Sequence, residues 1–370
     1  MAVNRRRFLR TAVAGGGLLF CPCHFLRAGA KALEPQSAAA TRPLRIGGTR
    51  VRTIDMHSHV FVQDVWPLVK DLPQVDRAMA NLANGPMAID NSGLERRFRE
   101  MDRQGIDIHV LSVHPSQFLY FTEPDLAARI VKMQNERIAE ICAAHHDRFV
   151  GFGNVSLQQP DLAVEQMNDA VTRLGMRGFI IGANVNGGEL VNPRLDPFWK
   201  KAEALGTVVF VHPAGWDDNG KRFEGAGALG NNIGFPLDTT VALSHMIFEG
   251  FLDRFGGLRI LAAHGGGFLP SYIGRSDNCH DLQAACQRMK RRPSDYLRGP
   301  QLHFDSLVYN PQNVRHLVRT AGASQIVMGT DFGFPIASTT PVGTILQTPG
   351  LSDDEQIAIL GGNAARLLKL

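Results

Sequence analysis

From residue 51 onward the chain repeats one unit: a short apolar run, then a longer stretch whose apolar residues recur every three or four positions. The runs are VRTIDM, IDIHVLSV, FVGFGNV, RGFIIG, TVVFVH, LRILAAH, LHFDSL and QIVMG. Between most of them lie amphipathic stretches such as DLAARIVKMQNERIAEICAAHH and DLAVEQMNDAVTRLG, the second closed by Gly175. Strand signals alternating with helices imply parallel strands joined by crossovers, and eight such units point to a (β/α)8 TIM barrel over 51–370. An open doubly wound sheet also satisfies the alternation. However, no glycine-rich dinucleotide loop follows the first strand, and GGG at 265–267 has neither the GxGxxG spacing nor a phosphate-loop lysine.

Two stretches break the pattern. Residues 61–95 read as a small irregular insertion after the first strand, placed to act as a flap over the barrel mouth. Residues 213–236 form a second long, Gly- and Asn-rich connection on the same side. At the C-terminus, GGNAARLLKL offers Asn363 as the cap of a closing helix.

The formal charge of +4 is concentrated at one end. Residues 1–30 hold five arginines and no acid, which leaves 34 basic against 35 acidic groups in the remainder. A near-neutral body carries no footprint for nucleic acid. The N-terminal NRRRFLR sets Arg5 and Arg6 before Phe8 and Leu9, followed by the moderately apolar TAVAGGGLLF and a small-x-small AGA at 28–30. This reads as a twin-arginine signal over 1–30 with a linker over 31–50, and so as export to the periplasm or beyond, with no membrane contact after cleavage. Cys21 in LLFCPC follows Phe20, where lipidation needs a small residue. Cys279 and Cys286, if they share a helix, stand about 10 Å apart, so no disulfide is expected.

The polar residues that end the apolar runs carry the chemistry. His57 and His59 end the first strand in TIDMHSHV, His212 the fifth in VVFVH and His264 the sixth in ILAAHGGG; Asp331 follows the eighth in MGTDFGFP. A barrel gathers such residues at its C-terminal mouth. Three neutral imidazoles and a carboxylate suit one divalent ion such as zinc, with a position left open for water or substrate. His264, followed by three glycines that permit close approach, is better placed as an acid/base beside the metal than as a further ligand. His114 after the second strand and Trp216 after VHP are candidate pocket residues. Asp305 on the seventh strand is a candidate to orient His264 or the flap. His109, His145, His146, His245 and His280 are assigned to structure.

DMHSH, VHP, AHGGGFLPSYIGR and MGTDFGFP, in that order, resemble the amidohydrolase-related family, and within it the 2-amino-3-carboxymuconate-6-semialdehyde decarboxylase branch. REMDRQGIDIHVLS and FLDRFGGLRILAAHGGG follow the same track, so the resemblance covers 51–370. It implies one zinc held by His57, His59, His212 and Asp331, with His264 activating the bound water. It also implies a homodimer in which Arg275 of YIGR reaches the substrate carboxylate of a neighbouring subunit. The fourth strand, RGFIIGANVNGG, has no lysine to carboxylate and bridge a second metal. One departure stands out: NGPMAIDNSG lacks the branch's substrate-gripping arginine, and Arg96 and Arg97 substitute for it only if the following helix turns them inward instead of towards solvent.

The expected activity is therefore metal-dependent, non-oxidative decarboxylation of an unsaturated or aromatic carboxylic acid, with Asp331 and His264 moving the proton. Hydrolysis of a lactone, ester or amide would use the same site. A non-catalytic exported metal-binding protein would have no use for His264.

Overall fold

The computed structural model describes residues 43–370 apart from 76–78, 83–84, 216–219 and 226. The stretch 1–30 expected to be a signal, and Trp216, lie outside the described residues. The described residues belong to one compact unit, 40–370.

Eight parallel strands form the barrel: β1 (Ile54–Val60), β2 (Ile108–Val113), β3 (Phe149–Gly153), β4 (Gly178–Gly182), β5 (Val208–His212), β6 (Arg259–Ala262), β7 (Leu302–Asp305) and β8 (Ile326–Val327). Each pairs with its sequence neighbour from β1 through β8. The seam between β8 and β1 has no ladder. A single bridge, Ser58 to Phe332, joins the two edges there. All eight apolar runs of the sequence become these strands.

The main helices are α1 (Asn91–Gln104), α2 (Pro124–Ala144), α3 (Pro160–Thr172), α4 (Asp196–Leu205), α5 (Phe235–Phe248), α6 (Leu269–Leu282), α7 (Pro311–Ala321) and the closing α8 (Asn363–Leu368). Their ends follow local chemistry. Asp90 caps α1 by accepting from Gly93 N at 2.8 Å, and Gly105 stops it at φ 71°. Proline at the first position opens α2, α3 and α7, where its missing N–H costs nothing. Inside the barrel wall, Phe152, Phe179, Phe210 and Phe304 are fully buried, and Trp199 donates to Leu190 O at 2.8 Å behind it.

Two local expectations are corrected. Cys279 and Cys286 are disulfide-bonded, with Cα atoms 5.8 Å apart. The expectation assumed one helix through both, but α6 ends at Leu282, Gln283 is extended, and the chain doubles back through Ala284–Cys286. Asn363 is not a cap. A π-helical turn, Ala358–Gly362, runs straight into α8, and the Asn363 amide donates instead to Ala323 O and Ile326 O at 2.8 and 2.7 Å.

The insertion after β1 contains the short helices Trp66–Val69 and Met79–Leu82 and returns through Phe61 N to Met87 O at 2.9 Å. Met87 lies against Gly333, where an added Cβ would sit 2.1 Å from its Cγ. The insertion therefore packs on the loop after β8, beside the mouth.

A candidate metal centre at the barrel mouth

His57 and His59 project from β1 with their Nε2 atoms 3.0 Å apart. A register shift between Asp55 and Ser58 in the pairing with β2 loosens the strand at this point. His212, at the end of β5, adds a third ring. The three imidazoles are nearly perpendicular to one another, with centroids 4.9–5.1 Å apart and interplanar angles of 86–89°. Asp331 Oδ1 lies 3.3 Å from His57 Nε2 and 3.2 Å from His59 Nε2. His57, His212, His264 and Asp331 each offer a donor atom within 4.8 Å of the others.

The second nitrogen of each ring fixes which lone pair points inward. His57 Nδ1 is 2.7 Å from Asp305 Oδ2, His59 Nδ1 is 3.3 Å from Val113 O, and His212 Nδ1 is 2.9 Å from Pro213 O. A nitrogen facing an oxygen acceptor carries the proton, so all three Nε2 atoms present lone pairs to the same space. Among the described residues, His212 Nε2 and Asp331 Oδ1 are buried without a hydrogen-bond partner. Several acceptors converging on one another in a buried site are unfavourable unless a cation sits among them. The arrangement is a seat for a divalent metal, with the spacing and donor types that imidazole-rich sites use.

Electrostatics point the same way. Burial holds the His59 imidazole below its usual pKa and His212 well below it, so both stay neutral donors. Burial also opposes charge on His57, but Asp331 and Asp305 outweigh it and raise that ring to about 10 in the absence of a cation. Burial works against the Asp331 charge as well, yet His57 and the other imidazoles hold its carboxyl well below the usual carboxylate range. The cluster attracts positive charge.

Asp305 at the end of β7 organises the site. It accepts from His57 Nδ1, from His264 N and Gly265 N at 2.9 Å each, and from Leu307 N at 3.1 Å. It thus orients the His264 loop through the backbone, and it also sets the His57 tautomer, a role its sequence position did not reveal. His264 and Asp331 both adopt left-handed backbone, φ 54° and 61°, which non-glycine residues accept only where surroundings impose it. The glycines after His264 serve the protein's own packing. A Cβ on Gly265 would meet Val308 at 2.6 Å, and one on Gly267 would meet Pro236 O at 2.1 Å.

His264 lies at the edge of this cluster, its ring centroid 5.2 Å from that of His57 and 5.4 Å from that of His212. It borders a cavity of about 390 Å³, shared with Asp331 and walled by Phe235, Phe268, Leu307 and Ile336. Its Nε2 is 3.8 Å from Asp331 Oδ2, the oxygen turned away from His57 and His59. Tyr309 and Asn313 add polar groups to the wall, and none of these wall residues was singled out in the sequence.

The other expected residues are less central. His114 is buried beside the centre, stacked on Phe334 at 4.7 Å and 6.3 Å from the His59 ring, and is not part of the cavity wall. Arg275 is exposed on α6 and does not line this chain's own cavity. Arg97 is neither solvated nor a substrate contact. It is fully buried, donates to His59 O, and places its guanidinium 4.2 Å above the Phe332 ring.

A parallel barrel with a metal-binding His/Asp cluster at its C-terminal mouth defines a class, the metal-dependent barrel enzymes. Within that class the comparisons are specific. The amidohydrolase family model matches residues 54–370, and the chain belongs to that family and is an enzyme. It is 31% identical over 337 residues to a 2-amino-3-carboxymuconate-6-semialdehyde decarboxylase of Dictyostelium discoideum, covering 86% of this chain and 91% of that one. It is 29% identical over 288 residues to a gamma-resorcylate decarboxylase of Rhodococcus jostii, covering 74% and 87%. Among solved structures, a dihydroxybenzoic acid decarboxylase from Polaromonas with bound manganese and the inhibitor 2-nitroresorcinol superposes with a TM-score of 0.74, at 22% identity and covering 86% and 97%.

Proposed function

We propose that this chain is a carboxy-lyase that removes carbon dioxide, without oxidation, from a single-ring aromatic or unsaturated carboxylic acid. The observation that carries the reading is the pairing of His264 with Asp331 Oδ2 at a cavity of about 390 Å³ whose wall is part apolar and part polar, beside the metal seat. The decarboxylase relatives support the choice of reaction.

His57, His59, His212 and Asp331 would hold one divalent ion. Zinc suits a set of three imidazoles and one carboxylate, and manganese is the ion bound in the Polaromonas relative. When bound, the ion supplies a Lewis acid that draws charge from the substrate's oxygens. The remaining work falls to the chain. Phe235, Phe268, Leu307 and Ile336 give the ring its apolar contacts. The bond from ring carbon to carboxyl carbon breaks, its electron pair stays on the ring carbon, and that carbon takes up a proton. His264 delivers that proton, and Asp331 Oδ2, a carboxylate at 3.8 Å, balances the charge on its ring. Arg275, exposed on α6, would reach the carboxylate bound by a second copy in a homodimer. The leader NRRRFLR supports export of the folded, metal-loaded protein by the twin-arginine route.

The test is carbon dioxide release by metal-loaded mature protein across aromatic and muconate-type acids, with lactone and ester analogues followed alongside. Carbon dioxide from one acid is expected. Ring opening or ester cleavage without carbon dioxide would move the same residues to a hydrolase.

A further inference from the structure

The chain closes its barrel at the place where it also builds its metal seat, and one carboxylate serves both. Asp55 lies on β1, fully buried, two residues before His57. Its Oδ1 accepts from His57 N and from Thr330 N, each at 3.0 Å. Its Oδ2 accepts from the Thr330 hydroxyl at 2.6 Å and lies 3.3 Å from His109 Nε2. The Thr330 hydroxyl in turn accepts from Phe332 N at 3.0 Å. The residues on both sides of Asp331 are therefore tied, directly or through one hydroxyl, to a single side chain. Asp331 is the residue between them, in left-handed backbone at φ 61°, a conformation that aspartate tolerates better than most residues and that the flanking bonds hold in place.

The surroundings hold that side chain in place. Arg97 Nη1 is 3.2 Å from His109 Nδ1 and its other terminal nitrogen donates to His59 O, so an arginine, a histidine and Asp55 form a buried row behind the two ligands of β1. Across the seam the backbone contributes only irregular bonds, Met56 N to Met328 O, Asp331 N to His57 O and His59 N to Phe332 O, at 2.8–3.1 Å. A seam held by these few backbone bonds and one bridge gives side-chain bonds a larger share in placing the two edges.

We propose that Asp55 is a positioning residue for the metal seat: by joining His57 N to Thr330 it fixes the distance and angle between the first ligand strand and the last ligand, Asp331. The inference rests on the metal reading of His57, His59, His212 and Asp331. Replacing an Asp55 acceptor oxygen by an amide nitrogen, or removing the Thr330 hydroxyl that it meets, lets Asp331 shift from its left-handed turn and opens the seat. A purely structural role would instead lower the stability of the metal-free fold and leave affinity and ligand geometry untouched.

The test uses Co2+ as the probe, titrated into metal-free full-length protein and followed by its visible absorption, for wild type, D55N, T330V and T330S. D55N is expected to bind about 10–100-fold more weakly with a changed spectrum, as loss of a ligand's supporting partner does elsewhere. T330V should move in the same direction and T330S should stay within about twofold of wild type, since it keeps the hydroxyl. If D55N fails to fold, the T330V and T330S pair carries the result. Affinities and spectra of D55N and T330V that match wild type, whatever their melting temperatures, overturn the proposal. Failure of the wild type itself to bind Co2+ would instead overturn the metal reading beneath it.

Discussion

Strands β1 and β4 are buried along their whole length, yet they are made of opposite materials. β4 is GFIIG, a run with nothing to ionise. β1 is IDMHSHV, with an acid, two histidines and a serine in seven residues. An apolar strand needs only close-packed neighbours. A polar strand at the same depth needs a partner for every group, and β1 finds them at great distances along the chain: Asp305 for the His57 ring, Val110 O for the Ser58 hydroxyl, Thr330 for Asp55. Burial alone does not separate wall from mouth. The destination of each polar atom does, and where three Nε2 atoms and a carboxylate oxygen have only one another, the destination is a cation.

That contrast can be broken in steps. Replacing His264 by Asn removes a proton-moving group and no member of the four-residue seat. Turnover should fall by about 10²–10⁴-fold while metal content per chain stays at the wild-type level, measured by kinetics and elemental analysis on the same samples. On the apolar side, Phe179→Ala in β4 should cost about 3–5 kcal/mol of stability in denaturant unfolding. The molecules that remain folded should bind metal as wild type does, because nothing in β4 faces the seat.

Asp305→Asn strikes the polar strand through its partner. The amide cannot accept every hydrogen bond the carboxylate accepts from His57, His264, Gly265 and Leu307, and metal affinity should drop about 10–100-fold. An unchanged affinity would show that the His57 ring is held by packing alone.

An effect confined to acid pH, and absent at neutral pH, concerns His303, on β7 two residues before Asp305 and on the same face by strand alternation. Burial, with Arg366 nearby, pushes its imidazole down to about 4, and its Nδ1 has no partner. A histidine neutral in the fold and titrating normally when unfolded takes up a proton only on unfolding within that interval. Its contribution is therefore intact above about pH 6.5 and is lost as pH falls towards 4, at up to about 1.4 kcal/mol per pH unit. Replacing His303 by Gln should flatten the acid side of the stability profile by about one proton.

The sequence made the strands and helices legible because their periodicities are local. The clustering of the histidines and Asp331 was legible for a related reason, since each follows an apolar run and a barrel sends such positions to one mouth. The supporting atoms were not. Asp55 and Thr330 are 275 residues apart and His57 and Asp305 are 248 apart, and no spacing rule joins them. Arg97 was misread although a local signal existed. It shares the i±4 face of α1 with Gly93 and Met101, both buried, and that face turns inward. The disulfide was missed because one helix was extended four residues past its true end at Leu282. Reading the wall residues of the cavity required knowing which loops meet above His264.

Calorimetric titration shows whether the mouth of this barrel is a metal seat. Metal-free wild type and His212→Ala, each first shown to be folded by circular dichroism, are titrated with zinc at the same pH. The account predicts one equivalent bound per wild-type chain and binding at least about 100-fold weaker in the variant. Equal affinity and stoichiometry in the two proteins would place the metal elsewhere and contradict it.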